Sequence, residues 1–114
     1  QLRQVLMNLV INAAESMGDE AGTIRVTTAS REWQRRELLA ADLSDDMAPG
    51  AYVSIRVQDT GCGMDTETRR RVFEPFFSTK FLGRGLGLAS VLGIVRGHAG
   101  AIGLTSEPER GTTF

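Results

Sequence analysis

Apolar side chains recur along residues 2–17 at Leu2, Val5, Leu6, Leu9, Val10, Ala13 and Met17. That i, i+3, i+4, i+7 rhythm predicts an amphipathic helix, with Gly18 as its natural stop. TIRVTTA, 23–29, alternates and is β-branched, which predicts a strand. REWQRRELLAADLSDDMAPG, 31–50, is polar and patternless and ends in a Pro-Gly turn signal. It reads as a long surface connection, with a helical turn near Arg36–Ala41 and Trp33 as a local packing anchor. AYVSIRVQ, 51–58, is the cleanest strand: Ala51, Val53, Ile55 and Val57 share one face, Tyr52, Ser54, Arg56 and Gln58 the other. Short helices are expected over 66–73, capped by Asp65 or Thr66, and over about 87–97, the second apolar nearly all round and therefore buried. A strand over 101–106, a hairpin-like turn over 107–111 and a return strand from Thr112 complete the chain. The order predicts one α/β (α+β) domain, a two-layer sandwich. Its sheet is mixed, mostly antiparallel, and covered on one face by about three helices.

The polar positions that break this pattern carry the chemistry. Gln4, Asn8, Asn12 and Glu15 fall within an arc of about 80° on the first helix, at 100° per residue. Asn is a poor helix-interior residue, because its side chain competes for backbone hydrogen bonds. Two of them four apart fit a ligand-facing stripe better than a solvated face, which more often carries Lys and Glu. Asp59 continues the apolar row of the second strand, and a carboxylate there needs a partner, distant in sequence or a ligand. Gly61 and Gly63 follow it, and GRGLGL, 83–88, precedes a helix. That loop has neither the Lys-Ser/Thr ending of a P-loop nor G-x-G-x-x-G spacing.

Each feature suits one part of a nucleotide. A carboxylate accepts from an exocyclic amino group, on adenine or on guanine. Glycines let backbone approach a flat ring. An amide oxygen is a hard, neutral ligand suited to Mg²⁺. A glycine loop and the helix start after it offer N–H groups to phosphates.

Composition narrows the setting. The chain has 114 residues, 41% apolar and 24% charged, with a net charge of −1, which gives no electrostatic pull toward nucleic acid or an anionic membrane. Arg69–Arg71 are flanked by Glu67 and Glu74 and read as a solvated helix face. A single cysteine, Cys62, permits no internal disulfide, favours a cytosolic (cytoplasmic) setting, and reads as a small turn residue. No apolar run is long enough to span a membrane. A start in mid-helix pattern and an end on TTF read as a fragment of a longer protein, its last strand truncated, whose own membrane attachment is open.

Taken in order, these segments resemble the ATP-binding catalytic domain of sensor histidine kinases, in the superfamily shared with DNA gyrase, a heat-shock chaperone and mismatch-repair ATPases. NLVINAAESM (8–17) is similar to the family's asparagine box and DTGCGM (59–64) to its D-x-G-x-G box. FEPFFSTK (73–80) matches the phenylalanine box, GRGLGLASVLGIVRGHAGAI (83–102) the second glycine box, and GTTF (111–114) the closing box. Five matches in order over nearly the whole chain are far more specific than any one. The PAS-linked and nitrogen-regulation-type kinases are the most similar.

The resemblance implies a Bergerat-type fold binding ATP and Mg²⁺. Asn12 should ligate the metal, with Asn8 facing the same metal–phosphate region as a second candidate ligand. Glu15 stands where many relatives carry a phosphate-touching Lys, so its charge leaves a contact through water or metal, or a place at the rim. Asp59 should hold the adenine amino group, with Gly61 and Gly63 close to the base and Met64 lining its pocket. Phe73, Phe76 and Phe77 should anchor one end of a lid, with Phe76 also counted at the nucleotide. Lys80 is a candidate phosphate contact and, with Asn12, a candidate catalytic residue. Gly83, Arg84, Gly85, Leu86, Gly87 and Leu88 should supply the lid hinge and its phosphate-facing backbone, and Thr112 should lie near the base. The Lys80–Gly83 stretch is short, which implies a compact lid.

The implied function is donation of the ATP γ-phosphoryl group to a histidine on a separate dimerisation hairpin, in two-component signalling with a response regulator downstream. The hairpin is absent from the chain, so the fragment alone should bind ATP without kinase activity. His98, the only histidine, sits in R-G-H-A-G without the His-Glu/Asp start of a phosphoacceptor helix. The alternatives are a gyrase- or chaperone-like ATPase, disfavoured because those place Glu where Asn8 stands, and a non-catalytic nucleotide-sensing module.

Overall fold

A computed structural model describes residues 1–41, 43–44, 47–78 and 87–114, with positions 43–44 described by backbone alone. Helix α1, Leu2–Met17, buries Val5, Leu9 and Ala13, one residue per turn. Gly18 stops it at φ 58, a conformation that glycine adopts without a Cβ penalty. Strand β1 (Ile24–Trp33) and strand β3 (Gly50–Asp59) pair antiparallel over their full length, from Ile24↔Asp59 to Trp33↔Gly50. Between them lie α2 (Arg35–Leu39) and the two-residue β2 (Leu43–Ser44). Helices α3 (Thr66–Arg71) and α4 (Gly87–Gly97) follow, then β4 (Ala101–Ile102), β5 (Thr105–Glu107) and β6 (Gly111–Thr113).

The main sheet has the order β1-β3-β6-β5, and β2 pairs with β4 separately. Every described pairing is antiparallel. Helices α1 and α4 pack together, and α1 lies on β3. The core between them is Val5, Leu9, Ala13, Val57, Leu88, Val91 and Ile102. This is the expected α+β arrangement.

Local departures have identifiable causes. The first strand runs four residues past Ala29, because the backbone of β3 offers partners as far as Gly50 even where the side chains lose their alternation. The expected helical turn is α2, closed by a capping box in which the Gln34 side chain and the Glu37 side chain each bond the other's backbone. Gln34 N–H, then the Arg31 guanidinium, hold the Glu37 carboxyl below its ordinary pKa. Arg31 also lies over the Trp33 ring at 3.6 Å, so this half-buried aromatic does anchor local packing.

The apolar row of β3 faces the core only at its far end. Val57 is 1% exposed, but Val53 is 74% exposed, because the β1–β3 ribbon runs out beyond the helices. The single strand expected over 101–106 is two, split at Gly103-Leu104 between the two sheets. Helix α4 buries only Leu88 and Val91 fully, leaving Gly93, Arg96 and Gly97 exposed.

Asp65 caps α3, accepting from Thr68 N at 2.7 Å, which lowers the Asp65 carboxyl pKa. The arginine run on that helix is not uniformly solvated. Arg69 turns inward and donates to the Leu104 carbonyl at 3.1 Å, while Arg71 pairs with Glu74 and lies over the Phe77 ring.

Candidate functional site

The polar features meet where the C-terminal half of α1, the end of β3 and the β5–β6 hairpin converge. Asp59 is 3% exposed. Its Oδ1 accepts from Gly61 N at 2.8 Å and Thr112 N at 3.3 Å, and shares the Ser16 hydroxyl proton, at 3.2 Å, with the Ala13 carbonyl. All three donors are neutral, and none of these bonds goes to Oδ2. The partners that its burial demanded are therefore one local amide, Gly61 N, and two groups distant in sequence, all at one oxygen, while no described residue bonds the other, which keeps its acceptor capacity.

Glycines let the three segments close on one another. A Cβ on Gly61 would stand 2.1 Å from Ser16 Oγ. At Gly63, φ is 67 and a Cβ would meet the Glu107 carbonyl oxygen at 1.9 Å. The loop is tied on both sides, with Cys62 N donating to Ser16 O at 3.0 Å and Glu109 N to Cys62 O at 2.7 Å. Glycine at 61 and 63 thus has a reason in the packing of the chain itself, whatever else approaches it.

Behind Asp59 lies a buried hydroxyl pair. Met64 N donates to Ser106 Oγ at 2.8 Å, Ser106 Oγ and Thr112 Oγ1 are 2.8 Å apart, and Ser106 Oγ is 3.2 Å from the Gly111 carbonyl. One proton arrangement satisfies all of them: the Thr112 hydroxyl donates to Ser106, and Ser106 donates to Gly111. This clamps Thr112, whose backbone N–H reaches Asp59, and Met64, whose side chain is half-buried.

On α1, Asn8 and Asn12 are half-buried and Glu15 is exposed. Asn8 Nδ2 donates to the Gly87 carbonyl at 3.2 Å, joining the amide stripe to the start of α4. Leu88 packs into the core beside Val91. Phe73 meets Phe114 edge-on at 6.1 Å, and Phe77 lies under Arg71. Phe76 differs from both: it is 78% exposed, at φ 66. Lys80, Gly83, Arg84, Gly85 and Leu86 lie outside the described residues. Asp59, Gly61, Gly63, Met64 and Thr112 are brought together, and Asn8 and Gly87 touch.

Ser16 and Ser106 were not singled out in the sequence. Ser16 continues the spacing of four through Gln4, Asn8 and Asn12, which was a usable signal. Ser106 shares an inward phase with Leu104 around exposed Thr105, visible only once β5 is known to be a strand.

Residues 1–114 match the family described as histidine kinase-, DNA gyrase B- and HSP90-like ATPases. The chain belongs to this family. As a member of the ATPase family, it is similar to the sensory histidine kinase/phosphatase NtrB of Rhizobium meliloti (strain 1021), 41% identical over 100% of this chain and 29% of that protein. It is 39% identical to the sensor kinase CckA of Brucella abortus (strain 2308), over 100% of this chain and 12% of CckA. The signal transduction histidine-protein kinase AtoS of Escherichia coli (strain K12) is 37% identical over 99% of this chain and 16% of its own length. The chain thus spans between 12% and 29% of the length of these relatives. No helix among the described residues is long and apolar enough to cross a membrane.

Proposed function

We propose that the chain is the ATP-binding half of an ATP:protein-histidine phosphotransferase acting in two-component signalling. The observation that carries this is the Asp59 carboxylate, buried with Oδ1 held by neutral donors and Oδ2 bonded by no described residue. An adenine 6-amino group is a matching donor, and Met64 and the Thr112 backbone bound the same corner. The amide stripe of α1 then faces the phosphates.

Among the described residues no cluster of three His, Cys, Asp or Glu side chains could hold a metal. Mg²⁺ keeps water and phosphate ligands and needs only one or two protein oxygens. Asn12 would supply one through its amide oxygen. Bound there, the metal would neutralise charge on the phosphates. Phosphoryl transfer asks a protein mainly for positioning and charge neutralisation. Lys80 and the backbone of 83–87 are assigned to the phosphates on sequence grounds.

The nucleophile would be a histidine on a dimerisation hairpin elsewhere in the parent protein, with a response regulator as the next acceptor. Asn8 favours transfer over hydrolysis, since an amide cannot act as a general base toward water.

The test mixes the chain with γ-labelled ATP, Mg²⁺ and the hairpin of its parent. Acid-labile, base-stable label on the hairpin is expected. Steady phosphate release by the chain alone would instead identify an ATPase, and nucleotide binding with neither outcome a sensing module.

A further inference from the structure

Ser16 occupies a junction that the phosphotransfer reading does not use. Its single hydroxyl proton is shared between two acceptors, the Ala13 carbonyl at 2.7 Å and Asp59 Oδ1 at 3.2 Å, its own carbonyl accepts from Cys62 N at 3.0 Å, and its side chain fills the space of a Gly61 Cβ. A carboxylate at a strand end turns readily about its last torsion, which is broad and two-fold. Where Oδ2 points is therefore set by what grips Oδ1. Two of the grips are backbone amides, Gly61 N and Thr112 N, which belong to the loop and hairpin on either side. The side-chain grip comes from α1, the helix that also carries Asn8 and Asn12.

Four residues of helix advance about 6 Å and turn only about 40° past a full turn. Asn8, Asn12 and Ser16 therefore form one row. Asn8 holds the Gly87 carbonyl at one end, and Ser16 holds Asp59 at the other. We propose that Ser16 is a positioning residue that aims Asp59 Oδ2 at the amino group of the base. This rests on the reading of Asp59 as the adenine-amino acceptor.

Ser16 touches no ligand in this scheme, so its effect must follow the amino group. Inosine triphosphate has an oxygen where adenine has the amino group and should gain nothing from a well-aimed Oδ2. The measurement is equilibrium affinity of the intact protein for ATP and for inosine triphosphate, in the parent form and in Ser16→Ala and Asp59→Asn. Ser16→Ala should lose roughly three- to tenfold in ATP affinity, the scale of one ordinary hydrogen bond, since the hydroxyl proton is shared with the Ala13 carbonyl. Its affinity for inosine triphosphate should not fall, which also reports an intact fold. An equal loss for both nucleotides would make Ser16 merely structural and overturn the proposal. So would unchanged ATP affinity in Ser16→Ala beside a loss in Asp59→Asn. If Asp59→Asn leaves the preference for ATP intact, the reading of Asp59 itself fails, and the Ser16 proposal falls with it.

Discussion

Asn8 Nδ2 donates to the carbonyl oxygen of Gly87 at 3.2 Å, across 79 residues of sequence. The bond joins the polar row of α1 to the first residue of α4, directly after the glycine-rich stretch. Asn8→Asp would set a carboxylate oxygen against that carbonyl, replacing a donor–acceptor pair by two acceptors. Amide exchange over residues 91–94, the first amides that bond carbonyls of the opening turn of α4, should rise severalfold in this variant, while the β1–β3 amides keep their protection. Unchanged exchange at the start of α4 would show that the bond does not hold that end.

Asp59→Asn keeps shape and removes the charge. Either orientation of the amide puts an NH₂ where an acceptor is needed, against the Oδ1 donors or against an incoming amino group. Losing a charge-assisted bond and leaving a donor unmatched is worth roughly 1.5–3 kcal/mol, so ATP affinity measured by calorimetry should fall at least tenfold. Unaltered affinity would remove Asp59 from the base site.

For Asn12 the informative variable is the metal. Asn12→Ala should abolish the gain in ATP affinity that Mg²⁺ provides and leave metal-free binding close to that of the parent. If titrations with and without Mg²⁺ differ as much in the variant as in the parent, another group ligates the ion.

Gly63→Ala tests the loop independently of any ligand. The residue sits at φ 67, and the added Cβ would meet the Glu107 carbonyl oxygen at 1.9 Å, so backbone must move. A left-handed conformation for alanine alone costs on the order of 1 kcal/mol, and the displaced hairpin adds to it. Denaturant unfolding should show a loss of about 2 kcal/mol or more. A variant as stable as the parent would mean that the loop and hairpin are not in contact in solution.

Much of this molecule was legible in one dimension because the relevant physics is local. The period of α1, the caps at Gly18 and Asp65, the alternation of 51–58 and the glycines beside Asp59 all act within a few residues, and each lies where its pattern predicts. The amide stripe and the lone core-phase carboxylate stood out because each violates a local preference. What distant chain segments do to one another was not legible. The extension of β1 to Trp33 needed the backbone of β3, and the split of 101–106 needed two different partner strands. Exposure of Val53 followed from where the helices end, and the inward turn of Arg69 from the position of Leu104. Above all, the sequence marked Asp59 as a carboxylate in need of a partner. Only the folded chain decided that Ser16 and Thr112 join the neighbouring Gly61 at one of its oxygens, with no described residue at the other, because hydrogen bonds over 43 and 53 residues depend on three-dimensional placement.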